Sequence, residues 1–254
     1  MKRRWRTPFR EARLKLERAN KHIVNLDDRI AALPDSDIAT VEINPLGGNE
    51  VIKHDITDTD ALVDIAVIAG DAIHNLKCAL DYAWLETVTK IIPSAVSKFA
   101  KFPIYPTSHA LEAALREKKI EIFSPNLFRL ILRDIQPYDE GNFAIWPIHR
   151  LDIRDKHRLL IPIVYYSSVN GIETENEKGE VSKDGFTMAT TQEPPYYIGI
   201  PLGWHVKDKG KVSISVMFKY GVSGHEYRIV DSFSLYSRFI LQVVEALEKF
   251  CESD

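Results

Sequence analysis

The sequence contains few cysteines and no long apolar run. Cys78 and Cys251 are its two cysteines among 254 residues, which excludes both a disulfide framework and a zinc site built from paired cysteines. No apolar run approaches the roughly 18 residues that cross a bilayer, and none follows the basic start as it would in a secretory signal. We therefore expect a cytoplasmic protein with no membrane partner, in which Cys78 is a reduced, packed thiol.

A strong excess of charge of one sign is also missing. The chain has 33 Lys and Arg against 36 Asp and Glu, a formal net charge of -3, which argues against nucleic-acid binding by the whole surface. The start of the chain is a local exception. A solvated helix end accounts for such a run, and a nucleic-acid contact is the alternative. The basic residues there are Lys2, Arg3, Arg4, Arg6, Arg10, Arg13, Lys15, Arg18 and Lys21, against Glu11 and Glu17.

Apolar residues at helical spacing predict six helices. Prolines mark several of their ends, and Ser, Thr or Asp residues stand at several of their starts. The predicted helices cover residues 8–33, 60–92, 108–118, 125–136, 144–160 and 232–251.

Alternating apolar and polar residues predict a β-hairpin over 38–56 and, later, a run of strands. These strands cover residues 163–169, 186–191, 196–200, 211–220 and 225–230. The charged, glycine-containing segment 173–185 between two of them is expected to be a mobile loop.

The order of these elements predicts an α+β fold. Because a helix returns after the strands, we expect a helical bundle with an inserted or appended, mostly antiparallel β-sheet. We expect a single domain over 1–254, with a helical part over about 1–160 and 232–254 and a β-rich part over about 161–231. Independent domains are the alternative.

Segment 70–84 carries the first group of reactive side chains. Read as a helix, it places Asp71, His74, Cys78 and Asp81 on one face, opposite an apolar face. Zinc or iron could use this spacing, but no second pair of ligands is visible, so we expect no metal and no cofactor. Hydrogen bonds to a neighbouring helix are the plainer alternative.

Segment 149–158 carries the second group. His149, Asp152 and Lys156 lie on one stripe of the predicted helix. Histidines beside aspartates and arginines supply the proton acceptor, the proton donor and the cations that chemistry on a phosphodiester requires. The alternative is a solvated helix face on which Asp152 pairs with Lys156 and His157 packs at the helix end.

The two segments together predict a shared polar cleft with a hydrolase-like or transferase-like activity. We expect His74 and His157 to carry protons and Asp81 and Asp155 to orient them, which makes these four the candidate catalytic residues. The expected ligand is RNA or a small molecule that bears a phosphate. The candidate ligand-binding residues are Asp71, Asn75, Lys77, His149, Arg150, Lys156 and Arg158.

Three short motifs resemble those of a family of uncharacterised bacterial proteins. They are Gly70-Asp71-x-x-His74-Asn75-Leu76 with Leu80-Asp81, then Gln136-Pro137-Tyr138, then Asp155-Lys156-His157-Arg158. Lys77 stands where the family pattern often has arginine, and Tyr82 where it often has histidine. The resemblance covers mainly residues 60–160 and implies a site there without implying a reaction.

A more distant similarity is to the HEPN superfamily of helical bundles, which includes ribonucleases of toxin and phage-defence systems. That superfamily typically has an arginine followed, after four to six residues, by a histidine, and Arg150 and His157 have the loosest form of this spacing. Leu151 replaces the polar residue that usually follows the arginine. The similarity implies RNA cleavage by analogy.

Two functions without catalysis are the alternatives. Aromatic residues of the predicted sheet can line a ligand groove or stack bases, although such residues more often fill a covered face. Self-association through the apolar stripe of the first helix is the other. The aromatic residues are Tyr165, Tyr166, Tyr196, Tyr197, Trp204, Phe218 and Tyr220.

Overall fold

A computed structural model describes residues 7–56, 59–91, 101–160, 162–187, 195–218 and 229–253. Its helices are α1 (Arg10–Ala31), α2 (Thr59–Ile91), α3 (Ser108–Glu117), α4 (Ile120–Phe123), α5 (Pro125–Arg129), α6 (Ile145–Asp155) and α7 (Ile229–Ser253), with a 3-10 turn at Leu33–Ser36 and a π-helical segment at Leu130–Ile135. Its strands are β1 (Asp37–Ile43), β2 (Glu50–Ile56), β3 (Pro162–Asn176), β4 (Val181–Thr187), β5 (Tyr196–Gly199) and β6 (Trp204–Phe218).

The strands form two antiparallel sheets of three strands each. One sheet has the order β1-β2-β5 and the other the order β4-β3-β6. The predicted hairpin over 38–56 forms, and its second strand also pairs with β5 in a register that places Ile52 opposite Ile198. The predicted α+β class with antiparallel sheets is confirmed. Over the described ranges, every helix is too short or too polar to cross a bilayer.

The described residues fall into two compact units. The first takes its residues from Met1–Val24, Val67–Leu160 and Val230–Asp254, and the second from Asn25–Ala66 and Ile161–Ile229. The first unit contains most of the helical residues and the second contains both sheets. The single domain expected over 1–254 stays a prediction.

Helix α2 runs through the core of the first unit. Its residues Ala69, Ala72, Ile73, Leu76 and Leu80 are fully buried. A helix that is apolar over most of its surface packs against neighbours on most sides. The polar side chains of such a helix must therefore form hydrogen bonds or ion pairs within the fold, or lie on the side of the helix that is exposed to solvent.

The second unit corrects the prediction for residues 173–185. These residues form the ends of β3 and β4 and the tight turn between them, where Gly179 has a φ of 80°. Lys183 pairs with Glu173 at 2.8 Å across the two strands. The charged composition of this segment predicts a loop. In the structure its charged side chains instead form ion pairs across the strands of an exposed hairpin.

Two further boundaries differ from the prediction. Helix α6 ends at Asp155, with Lys156 as its C-cap, so it is shorter than the predicted helix over 144–160 and residues 157–160 lie outside it. Ile229 and Val230, expected at the end of a strand, begin α7. Residues 225–228 of that predicted strand lie outside the described residues.

Candidate functional site

The two segments singled out in the sequence meet in the first unit, where α2 and α6 bring polar side chains together. Nδ1 of His74 lies 3.1 Å from Oδ1 of Asp152. The His74 side chain is 49% exposed, whereas that of Asp152 is only 4% exposed. A buried carboxylate therefore orients an imidazole ring that a small ligand can reach.

Lys156 is the second partner of that carboxylate. Its Nζ lies 2.5 Å from Oδ2 of Asp152, and its own side chain is half exposed. A buried carboxylate costs several kcal/mol unless its oxygens are paired. The contacts with His74 and Lys156 offset the cost of burying Asp152, so each of its two oxygens has a partner.

Asp155 lies directly against the backbone of α2 at Gly70. A Cβ at position 70 would lie 2.6 Å from Cγ of Asp155, so any other residue there would displace the Asp155 carboxylate. Burial raises the pKa of the Asp155 carboxyl, and the negative charges of Asp152 and Asp71 raise it further, against the effect of two nearby basic groups. Asp155 therefore holds a proton at a higher pH than an ordinary aspartate.

Cys78 touches the opposite side of the His74 ring. Its Sγ lies 3.4 Å from Nε2 of His74, one helical turn away on α2. Burial raises the pKa of the Cys78 thiol, and the charges of Asp81 and Asp152 also raise it, while Lys15 and Lys77 lower it. We call His74, Cys78, Asp152, Asp155 and Lys156 together the His74 cluster.

A second contact network on α2 is structural. Lys77 is buried and its Nζ lies 2.5 Å from Oδ1 of Asp81. The same oxygen accepts a hydrogen bond from the backbone N–H of Phe102 at 2.8 Å. Lys77 and Asp81 therefore tie α2 to the segment that begins at residue 101.

Lys15 joins α1 to the same region. Its Nζ donates to Oδ1 of Asn75 at 3.1 Å, and the Asn75 amide in turn donates to the backbone carbonyl of Asp71 at 2.8 Å. Asn75 is buried, so these two bonds satisfy its polar atoms. Asn75, a predicted ligand residue, is thereby held by the fold.

His149 and Arg150 lie one turn before Asp152 on α6. The His149 ring is 5.8 Å from that of Trp146, and its Nδ1 is buried without a hydrogen-bond partner in the part of the chain that is described. Burial lowers the pKa of His149, and the charge of Lys77 lowers it further, while Asp152 opposes both effects. The Arg150 guanidinium lies 5.9 Å from the centre of the Trp146 ring.

The structure does not bring the last two candidates into the cluster. His157 and Arg158 follow the end of α6, their side chains are exposed, and their backbone N–H groups donate to the carbonyl of Arg154. Among the described residues, no hydrogen bond or ion pair of either side chain reaches the cluster. The expected contact of His74 with His157 is replaced by its contact with Cys78.

The orienting residue also differs from the expectation. Asp152, not Asp81 or Asp155, makes the hydrogen bond with His74. The sequence shows the pairing of Asp152 with Lys156 one turn apart, and this pairing is present, but the expected solvated face is in fact buried at Asp152. Asp152 is not among the site residues predicted from the sequence. The signal that could have identified it is its position on the same helical stripe as His149 and Lys156.

Over the described residues, no group of three or more His, Cys, Asp or Glu side chains has the geometry to hold a metal ion. Comparisons of the chain with protein-family models, curated proteins and solved structures find no match. The resemblances to the bacterial family and to HEPN proteins stay predictions, and the geometry of the site carries the functional argument.

Proposed function

We propose that the His74 cluster is an acid–base site that binds and acts on a phosphate-containing ligand. The observation that carries this proposal is the buried Asp152 carboxylate, which pairs with two half-exposed basic side chains at once, His74 and Lys156. Buried titratable groups whose pKa values are shifted by specific neighbours are typical of functional sites. Asp155 is such a group.

His74 is the general base in this proposal. A proton on Nδ1 is donated to Asp152, which leaves the lone pair of Nε2 to accept a proton. A buried carboxylate that fixes the tautomer and orientation of a histidine is a recurring arrangement in acid–base catalysis.

Asp155 is the general acid. Burial and the negative charges of Asp152 and Asp71 raise its pKa, so it is more often protonated than an ordinary aspartate, and it lies on the same helix as Asp152. The cleavage of a phosphate ester requires one group that accepts a proton and another that donates a proton in the same site. Lys156 supplies a cation for the phosphate oxygens.

RNA is the ligand that the HEPN resemblance implies. The strongly basic start of the chain would attract it, although residues 1–6 lie outside the described residues. Of the described basic residues there, Arg13 is paired with Glu248 and Lys15 with Asn75. The phosphate contact at Lys156 is the same for an RNA and for a small phosphate ester.

Titration calorimetry of the full chain tests the proposal, with inorganic phosphate and a short single-stranded RNA as separate probes. We expect Lys156→Gln to weaken binding of either probe by about tenfold, the value of one hydrogen bond to a charged group. Arg116→Gln is the matched control, because Arg116 also pairs one turn back, with Glu112, at a similar exposure.

Equal affinity for phosphate in the wild type and Lys156→Gln overturns the proposal, as does an equal loss in Arg116→Gln. If RNA is cleaved, His74→Gln should slow cleavage by about a hundredfold, the usual contribution of a general base. Binding of phosphate without RNA identifies a small phosphate ester as the ligand.

The described aromatic residues of the sheets do not favour the binding alternative. Tyr196 is buried and Tyr197 is exposed, as alternation on a strand requires. The side chains of Tyr165, Tyr166 and Phe218, and all of Tyr220, lie outside the described residues.

The apolar stripe of α1 is covered within the chain. Ala12, Leu16 and Ala19 are buried, so a partner that used them would first have to displace their present neighbours. Self-association through α1 stays a prediction.

A further inference from the structure

Three side chains of the His74 cluster contact one another in succession. Sγ of Cys78 lies 3.4 Å from Nε2 of His74, and Nδ1 of the same ring lies 3.1 Å from Oδ1 of Asp152. We propose that Cys78 is a nucleophile that His74 activates and Asp152 orients, and that it accepts an acyl group from an ester or thioester. This activity lies beyond the binding of a phosphate.

The order of atoms supports a nucleophilic role. A nucleophile, a base that contacts it and a third group that orients the base make up the arrangement found in covalent catalysis. The two ring nitrogens of His74 face different partners, so one nitrogen can take the thiol proton while the other is held by the carboxylate. A cysteine that only packs in a core has no need of this second contact.

Access is the second requirement. Cys78 is partly exposed and His74 is half exposed, so a small acyl donor can reach both. Cys251 is buried on α7, and it serves as an internal reference.

The protonation state of the thiol fits a base-assisted attack. Burial raises the pKa of Cys78, so the group is a thiol at neutral pH and its proton must be removed as it reacts. The positive charges of Lys15 and Lys77 act on Cys78 from neighbouring positions and favour negative charge as it develops.

The reaction has two balanced steps. In the first, the Cys78 thiol proton moves to Nε2 of His74, an S–C bond forms to the acyl carbon, the C–O bond of the ester breaks, and the leaving oxygen takes the proton from His74. In the second, water attacks the thioester carbon and gives a proton to His74. The S–C bond then breaks and the departing sulfur takes that proton.

This inference rests on the proposed function in one respect, because both assign the role of base to His74. The readouts are separate: binding of phosphate is measured at Lys156, and acylation is measured at Cys78. Either result can fail while the other stands.

Acetylation by p-nitrophenyl acetate tests the inference in the full chain. We expect release of p-nitrophenolate together with an acetyl group on the peptide that contains Cys78, detected by mass spectrometry. His74→Gln should slow this acetylation by about a hundredfold, and Asp152→Asn should slow it while the thermal unfolding transition is kept. Cys251→Ala is the matched control and should acetylate at the wild-type rate.

Alkylation by iodoacetamide gives a second measurement, and its comparison of the two cysteines needs only the wild type. In the wild type, Cys78 should react at least about tenfold faster than Cys251, and the pH profile of its rate should change in His74→Gln. Equal rates of Cys78 modification in the wild type and in folded His74→Gln or Asp152→Asn would overturn the inference, as would acetylation confined to lysines.

Discussion

Gly70 is a position where the absence of a side chain lets a carboxylate of α6 lie against the backbone of α2. The carboxylate of Asp155 occupies the space that any Cβ at residue 70 would fill. The motif that contains Gly70 was read from the sequence, but the reason for a glycine within a helix was not visible there. Glycine costs a helix about 1 kcal/mol relative to alanine, so its presence in α2 calls for a packing reason.

Gly70→Ala should stabilise the protein by less than the gain of about 1 kcal/mol that helix propensity alone would give. The added methyl group displaces the Asp155 carboxylate from α2, and that displacement offsets part of the gain. Chemical denaturation measures the change in the free energy of unfolding.

The double variant Gly70→Ala/Asp155→Ala is the control, because it removes the group that clashes. It should be more stable than Gly70→Ala alone, and the difference should exceed the effect of Asp155→Ala on the wild type. If the two substitutions add independently, the contact between residues 70 and 155 does not limit the packing of α2.

The candidate residues on α2 were predicted from the sequence because helical spacing alone places them on one face. Their partners were not predictable in the same way. The contact between His74 and Asp152 joins residues 78 positions apart, and no local pattern specifies which of several aspartates faces the ring. His157 was chosen for its chemistry, but α6 ends before it and leaves it exposed.

At the scale of elements, helix ends show which structural features short-range sequence signals can predict. Thr107 and Ser124 directly precede the predicted helices 108–118 and 125–136, and both are N-caps: Oγ1 of Thr107 accepts from the backbone N–H of Ala110, and Oγ of Ser124 accepts from that of Leu127. A cap is a short-range interaction, so sequence suffices to find it.

Ser124→Ala should lower the free energy of unfolding by about 1 kcal/mol, because a buried backbone N–H at Leu127 loses its acceptor. Thermal unfolding followed by circular dichroism measures the loss. Ser124→Thr keeps an acceptor oxygen at the same place and should recover most of it. A variant Ser124→Ala as stable as the wild type would mean that water replaces the hydroxyl.

Pairing between strands is the feature of these elements that could not be predicted from the sequence. Glu173 and Lys183 both look like loop residues in one dimension, yet they face each other in the β3–β4 register. Lys207 of β6 also pairs with Glu175 of β3, at 2.5 Å, from a position where the register of these two strands shifts. A run of charged residues looks like a loop in the sequence because the ion-pair partners on neighbouring strands are not visible there.

At the scale of the whole molecule, the α+β class follows from the order of periodicities along the chain, and it is confirmed. The pairing of β5 with β2 did not follow, because it joins residues that are well over a hundred positions apart. Each compact unit is built from segments that are far apart in the sequence. This arrangement likewise did not follow from the order of periodicities.

Acid stability is a property of the whole molecule, and two histidines of the first unit contribute to it: His22, which is buried, and His149, which is partly buried. Burial lowers the pKa of His22 and of His149 below the ordinary 6.5. The unfolded chain therefore binds protons first as the pH falls. The stability due to these groups is complete above pH 6.5 and is lost as the pH falls through their folded-state values.

The double variant His22→Gln/His149→Gln should show a shallower loss of unfolding free energy between about pH 7.5 and 5 than the wild type. The slope is compared rather than the absolute stability, since both substitutions alter a buried or partly buried site. Asp155 acts in the opposite direction, because its raised pKa costs stability as the pH rises above the ordinary 3.8. Equal slopes in both proteins would show that neither histidine is linked to unfolding.

The first unit also joins two distant parts of the polypeptide. A guanidinium nitrogen of Arg13 on α1 lies 2.5 Å from a carboxylate oxygen of Glu248 on α7, 235 residues later, and Oγ of Ser237 lies 2.6 Å from Oδ1 of Asn20. During synthesis on the ribosome, α1 leaves the exit tunnel long before its neighbour has been translated. The Arg13 guanidinium and the Asn20 amide must wait for that neighbour, so a nascent chain stopped before α7 holds α1 without these two contacts.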